Sequence, residues 1–172
     1  VFLCGILRQL SAQTQEFDSL STVLRTTTND TVKVRTLLQM GYHAEHTNLQ
    51  HVEDYATHAI SIAQRLRDTM ALAEGYGLLA MSFGYRGLSA RAFDYCRQAL
   101  SLAMASKNNA AIALAYNYLS EEYRVVLHYD SATVAAERAM AFALRASDSV
   151  RYARAWGSLG QVYRSEERRV GK

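Results

Sequence analysis

Apolar and polar positions along this chain fall at the spacing of amphipathic helices, and the arrangement recurs. Leu72, Tyr76, Leu79 and Phe83 stand at i, i+4, i+7 and i+11, one face of a helix. The stretch 84–89, containing Gly84 and Gly87, reads as a break, and Ala92, Cys96, Ala99 and Ala103 then mark one face of a second helix. Both stretches return forty residues later: Tyr76, Tyr116 and Trp156 align, as do Leu79, Leu119 and Leu159. Ala80, Ser120 and Gly160 form another column, and Phe83, Tyr123 and Tyr163 another. In the second helices Val52, Ala92 and Ala132 align, then Ala59, Ala99 and Ala139, and then Ala63, Ala103 and Ala143. Asp68, Asn108 and Asp148 precede the first helices, where a short oxygen-bearing side chain can accept from orphan amides.

A fixed period within roughly 20–50 residues is the mark of a repeat array. The expected units are 30–67, 68–107, 108–147 and a half repeat at 148–163, preceded by a capping helix over 14–29. In the first unit Leu37, Met40 and Gly41 fit one residue out of register. The small columns let two antiparallel helices approach closely, and the aromatic columns fill the space between helix pairs. One such pair cannot bury its apolar face alone, so neighbours stack into a superhelix with a concave side.

The pattern Tyr76–Leu79–Ala80–Phe83–Ala92–Ala99, repeated as Tyr116–Leu119–Ser120–Tyr123–Ala132–Ala139 and half-repeated at Trp156–Leu159–Gly160–Tyr163, resembles the tetratricopeptide repeat family. It departs from that family in its longer period and in having no proline to close the second helices. The resemblance covers about residues 31–163. It implies an all-α, right-handed superhelical α-solenoid of antiparallel helix pairs whose first helices line a peptide-binding groove. By position the groove would be lined by Arg35, Tyr42, Glu45 and His46, then Glu74, Met81 and Tyr85, then Asn117, Glu121 and Arg124, and last Arg154 and Gln161. The family's Lys/Arg/Asn carboxylate clamp is not formed: Asn117 fits, whereas Gly77, Gly157 and Glu121 do not.

The run from Phe17 to Leu24, with Asp30-Thr-Val-Lys-Val-Arg-Thr-Leu-Leu after it, is similar to the start of exported repeat regions in bacterial sensor histidine kinases. That implies a non-catalytic scaffold, the sensory N-terminal part of a bacterial signal-transduction protein, with protein or peptide as its partner. The other readings are the repeat region of a cytoplasmic transcriptional regulator and a free-standing adaptor or chaperone.

Composition narrows these choices. The 172 residues are 49% hydrophobic and 20% charged, which excludes a disordered tail, and the absence of proline favours helices. No apolar run reaches the ~20 residues a membrane-crossing helix needs. The opening Val-Phe-Leu-Cys-Gly-Ile-Leu, followed by Ser11-Ala12, resembles the back half of a secretory signal peptide over 1–13, so a periplasmic or exported location is expected, with the cytoplasm as the other reading. Arg164–Lys172 read as a translated sequencing-adapter scar. Without their four Lys/Arg and two Glu the net charge drops from +3 to +1, too little for a nucleic-acid footprint.

No catalytic constellation, cofactor loop or metal motif is expected. His43, His46, His51 and His58 lack the i, i+4 spacing of a zinc helix and read as surface histidines. Cys96, in a column with Ala56 and Ala136, reads as a small buried residue. Glu121 and Glu122 point about 100° apart on a helix and cannot share a proton. Trp156, Leu159 and Tyr163 are expected to form an exposed apolar patch on the last helix, about 149–163, with self-association through it.

Overall fold

The computed structural model describes residues 15–44 and 48–171. All of its regular structure is helical: α1 over 15–26, α2 Asp30–Ala44, α3 Leu49–Leu66, α4 Thr69–Tyr85, α5 Ser89–Ser106, α6 Asn109–Val125, α7 Tyr129–Arg145 and α8 Ser149–Val170. From α2 onward each helix packs on the next, and α2, α4, α6 and α8 also touch one another in series. Among the described residues α3, α5 and α7 make no such mutual contact. The first helices of the pairs thus form one layer and the second helices a separate one.

The layers close on the aligned columns. Val52, Ala56, Ala59 and Ala63 of α3 are fully or almost fully buried, as are Ala92, Cys96, Ala99 and Ala103 of α5 and Ala132, Ala136, Ala139 and Ala143 of α7. Tiny side chains there let the backbones approach, and rings fill the gaps beside them. Tyr95 stacks on Tyr76 at 6.1 Å and on Phe83 at 5.5 Å, and Phe142 stacks on Tyr116 at 5.9 Å between ring centroids.

Each first helix starts on a side-chain cap. Asn29 Oδ1 accepts from the amides of Thr31 and Val32, Asp68 from Ala71, Asn108 from Ala110 and Ala111, and Asp148 from Arg151. The Asn29 cap lies one residue out of the forty-residue step, which accounts for the shifted register of the first unit. The missing prolines have a structural substitute. Arg67, Lys107 and Ser147 turn the chain at φ near +55°; after Arg67 and Ser147 the next amide returns to a carbonyl of the last helical turn, as in Asp68 N to Ala63 O at 3.0 Å, and after Lys107 the Asn108 amide donates to the Ser106 hydroxyl at 3.3 Å.

Two expectations need correction. The break expected from Gly84 falls later: α4 continues through Tyr85 and turns only at Arg86–Leu88, with Gly87 at φ +75°. Gly84 is small for a packing reason, since a Cβ there would collide with the Glu122 carboxyl group of α6. The last helix also runs past Tyr163 to Val170, because Arg164–Arg169 offers good helix formers and no breaker before Gly171.

Candidate functional site: a pocket on the inner helices

Four first helices in series bring residues from across the whole array onto one surface. A pocket of about 370 Å³ opens there. Tyr42 of α2 contributes to it, with Met81 and Tyr85 of α4 and Asn117, Tyr118, Glu121 and Arg124 of α6. Arg154, Ser158 and Gln161 of α8 complete the wall. Met81, Glu121 and Gln161 come from one column of the repeat, so the register itself sets an apolar, an anionic and a neutral polar group along the pocket.

The polar groups are tied to one another. Arg124 Nε donates to Glu121 Oε2 at 3.0 Å and its Nη2 to Oε1, a two-point ion pair on one helix turn. Ser158 Oγ donates to Asn117 Oδ1 at 3.0 Å across α6 and α8. The Tyr42 and Tyr118 hydroxyls share a hydrogen bond. Arg154 Nη1 donates to the Tyr42 hydroxyl at 3.2 Å, and its guanidinium lies over the Tyr42 ring at 5.2 Å. First and last inner helices, 112 residues apart at this contact, are therefore joined by side chains.

This bridge divides the inner surface. Beyond it lies a second pocket of about 270 Å³, lined by Thr31, Val34, Arg35, Leu38, Asp68, Met70, Ala71, Glu74 and Arg151. Burial raises the Glu74 carboxyl above its usual value. Burial, with the charge of Glu74, pushes the Tyr42 hydroxyl up to about 12, so the bridge stays a neutral phenol beside a cation at physiological pH.

Eight of the residues expected in the groove line the larger pocket: Tyr42, Met81, Tyr85, Asn117, Glu121, Arg124, Arg154 and Gln161. Glu74 and Arg35 belong to the second pocket across the bridge. Glu45 and His46 lie outside the described residues, as do Cys4 and the segment read as a signal-peptide remnant. Sequence reasoning missed Tyr118 and Ser158. Their column runs Leu78, Tyr118, Ser158, and that drift from apolar to polar was the available signal, because a buried tyrosine needs a partner for its hydroxyl.

Other features fall elsewhere. A larger hollow of about 560 Å³ lies on the outer layer, walled by one helix face and Tyr76, with the Arg97–Asp94 ion pair on its rim. His43 Nε2 lies 3.3 Å from Glu16 Oε1, while His51 and His58 are exposed. Among the described residues no group of three His, Cys, Asp or Glu side chains is placed to hold a metal ion, and no helix is long and apolar enough to cross a membrane. Cys96 is fully buried, and burial, then the nearby Glu122, pushes its thiol up. No protein-family model matches the chain, and no curated protein matches it.

Proposed function

We propose that this chain is a non-catalytic protein-binding repeat scaffold of the tetratricopeptide kind, and that a segment of a partner protein inserts into the pocket between Tyr42 and Arg124. The observation that supports this reading is the convergence of four inner helices on one pocket offering an aliphatic thioether, phenols, amides and a guanidinium. Such a mixture suits a peptide, with apolar walls for a side chain and oriented donors for its backbone. The Tyr42–Tyr118–Arg154 bridge limits the mode of binding. An extended chain cannot pass along the full inner surface, so the ligand is a turn or a side-chain anchor entering from the Tyr85 side.

The resemblance of Phe17–Leu24 and Asp30–Leu38 to exported regions of bacterial sensor kinases supports assigning the scaffold to the sensory part of an exported bacterial signalling protein. Selection of a random peptide library against the purified chain tests the binding. Selected peptides are expected to lose affinity to the Tyr85→Ala and Arg124→Ala variants and to keep it for Arg97→Ala on the outer hollow. Peptides indifferent to both pocket substitutions would overturn the reading.

A further inference from the structure

One aromatic stack of the second repeat unit lacks its central ring in the third. In the second unit the Tyr95 ring of α5 stacks on Tyr76 at 6.1 Å and on Phe83 at 5.5 Å, and the Arg91 guanidinium lies over Phe83 at 5.6 Å. Forty residues on, Tyr116 and Tyr123 of α6 keep the two outer rings, but Ala135 stands for Tyr95 and Ser131 for Arg91. The same column begins Tyr55, Tyr95, so the alanine is the exception. A slot of about 300 Å³ opens there, walled by Tyr116, Leu119, Tyr123, Ser131 and Ala135. Like α5, α7 is packed by the helix before it and the helix after it, so the slot belongs to the interior of the array. It shares no residue with either inner pocket.

We infer that this slot binds a small, free, monocyclic phenol, whose ring takes the place that Tyr95 fills in the preceding unit. The volume suits one ring: an apolar cavity of roughly 150 Å³ is enough for benzene, and the remainder leaves room for substituents. The walls suit it as well, since the Tyr123 ring and Leu119 offer the aromatic and aliphatic surface, and Val134, 48% exposed, adds an apolar lip. Two charged residues line the slot, Arg138 and Asp130. Both are exposed and their charges offset, which favours a neutral ligand over an ion. Arg138 marks the polar end. Its guanidinium lies over the Tyr116 ring at 5.6 Å and its Nη1 donates to the Tyr116 hydroxyl at 3.4 Å, which leaves further N–H donors for a ligand hydroxyl.

Fluorine NMR of 4-fluorophenol added to the full chain tests this. Saturable line broadening is expected, reversed by phenol and about two- to tenfold less well by cyclohexanol, which has the size but not the aromatic ring. Ala135→Tyr should abolish the broadening and raise the melting temperature, because the chain then supplies the ring itself. Ser131→Arg, which restores the second covering group at a half-buried position, should weaken binding severalfold with the fold intact, and it decides the matter if Ala135→Tyr does not fold. No saturable binding by the folded chain, equal competition by cyclohexanol, or unchanged binding in the folded variants would overturn the inference. A blocked Ala-Tyr-Ala tripeptide that competes better than 4-methylphenol would assign the slot to a tyrosine side chain of another protein and overturn it as well.

Discussion

The ring of Tyr118 on α6 occupies the space that a side chain at position 77 of α4 would fill. A Cβ on Gly77 would overlap that ring, and the ring carries the hydroxyl that meets Tyr42 in the bridge across the inner surface. A glycine in the middle of a helix costs stability of its own, yet here it seats the aromatic that divides the two pockets.

Two substitutions in this column should therefore have opposite signs. Gly77→Ala is expected to displace Tyr118 and lower stability by about 1–3 kcal/mol, in spite of the better helix propensity of alanine. Gly157→Ala, where nothing lies within 4 Å, should raise it by about 0.5–1 kcal/mol. Urea unfolding followed by circular dichroism measures both.

Leu127 stands forty residues after Gly87 and adopts the same left-handed backbone, φ +64° against +75°. Its side chain is 55% exposed, so little packing compensates for the steric cost of that conformation in a residue with a Cβ. Leu127→Gly is expected to stabilise the α6–α7 turn by up to about 1 kcal/mol, read as a higher midpoint in the same unfolding experiment.

The Glu122 carboxyl group is 2% exposed between Gly84 and the Cys96 region, and one of its oxygens has no hydrogen-bond partner. Burial, then the charge of Glu121, raises its pKa from 4.5 to about 8. The folded chain thus holds this proton more tightly than the unfolded chain does. The stability it contributes is complete below pH 4.5 and is lost as pH rises through about 8. Stability of the parent should fall between about pH 5 and about pH 9, by at most about 1.4 kcal/mol per pH unit, and Glu122→Gln should flatten that slope. Unfolding midpoints measured across the range decide it.

Arg154 and Tyr42 should couple energetically although 112 residues separate them. A double-mutant cycle with Arg154→Ala and Tyr42→Leu, which removes both the ring face and the hydroxyl, is expected to give about 0.5–1 kcal/mol, the range of a partly solvated cation–aromatic contact with one hydrogen bond. Additive effects would mean that the bridge does not hold α2 and α8 together.

Much of the architecture was legible because it is periodic. Columns such as Ala59–Ala99–Ala139 and caps such as Asp68–Asn108–Asp148 repeat a local physical requirement, and each copy confirms the next. What escaped is what the repeat does not enforce. Gly84 looked like a helix breaker, since sequence alone cannot show the Glu122 carboxyl group that needs its missing Cβ. Tyr118 drew no reading from the sequence, since its partner hydroxyl on Tyr42 lies two repeats away. The division of the inner surface into two pockets comes with the contact of Arg154 on Tyr42, between the first and last inner helices. No local pattern encodes that contact.

Amide chemical-shift mapping of the chain with a library-selected peptide shows directly whether the inner pocket takes a partner segment. The perturbed amides are expected to cluster around Met81, Tyr85, Asn117, Arg124 and Gln161. Shifts gathered on α5 around Asp94 and Arg97, with the pocket amides unmoved, would contradict it.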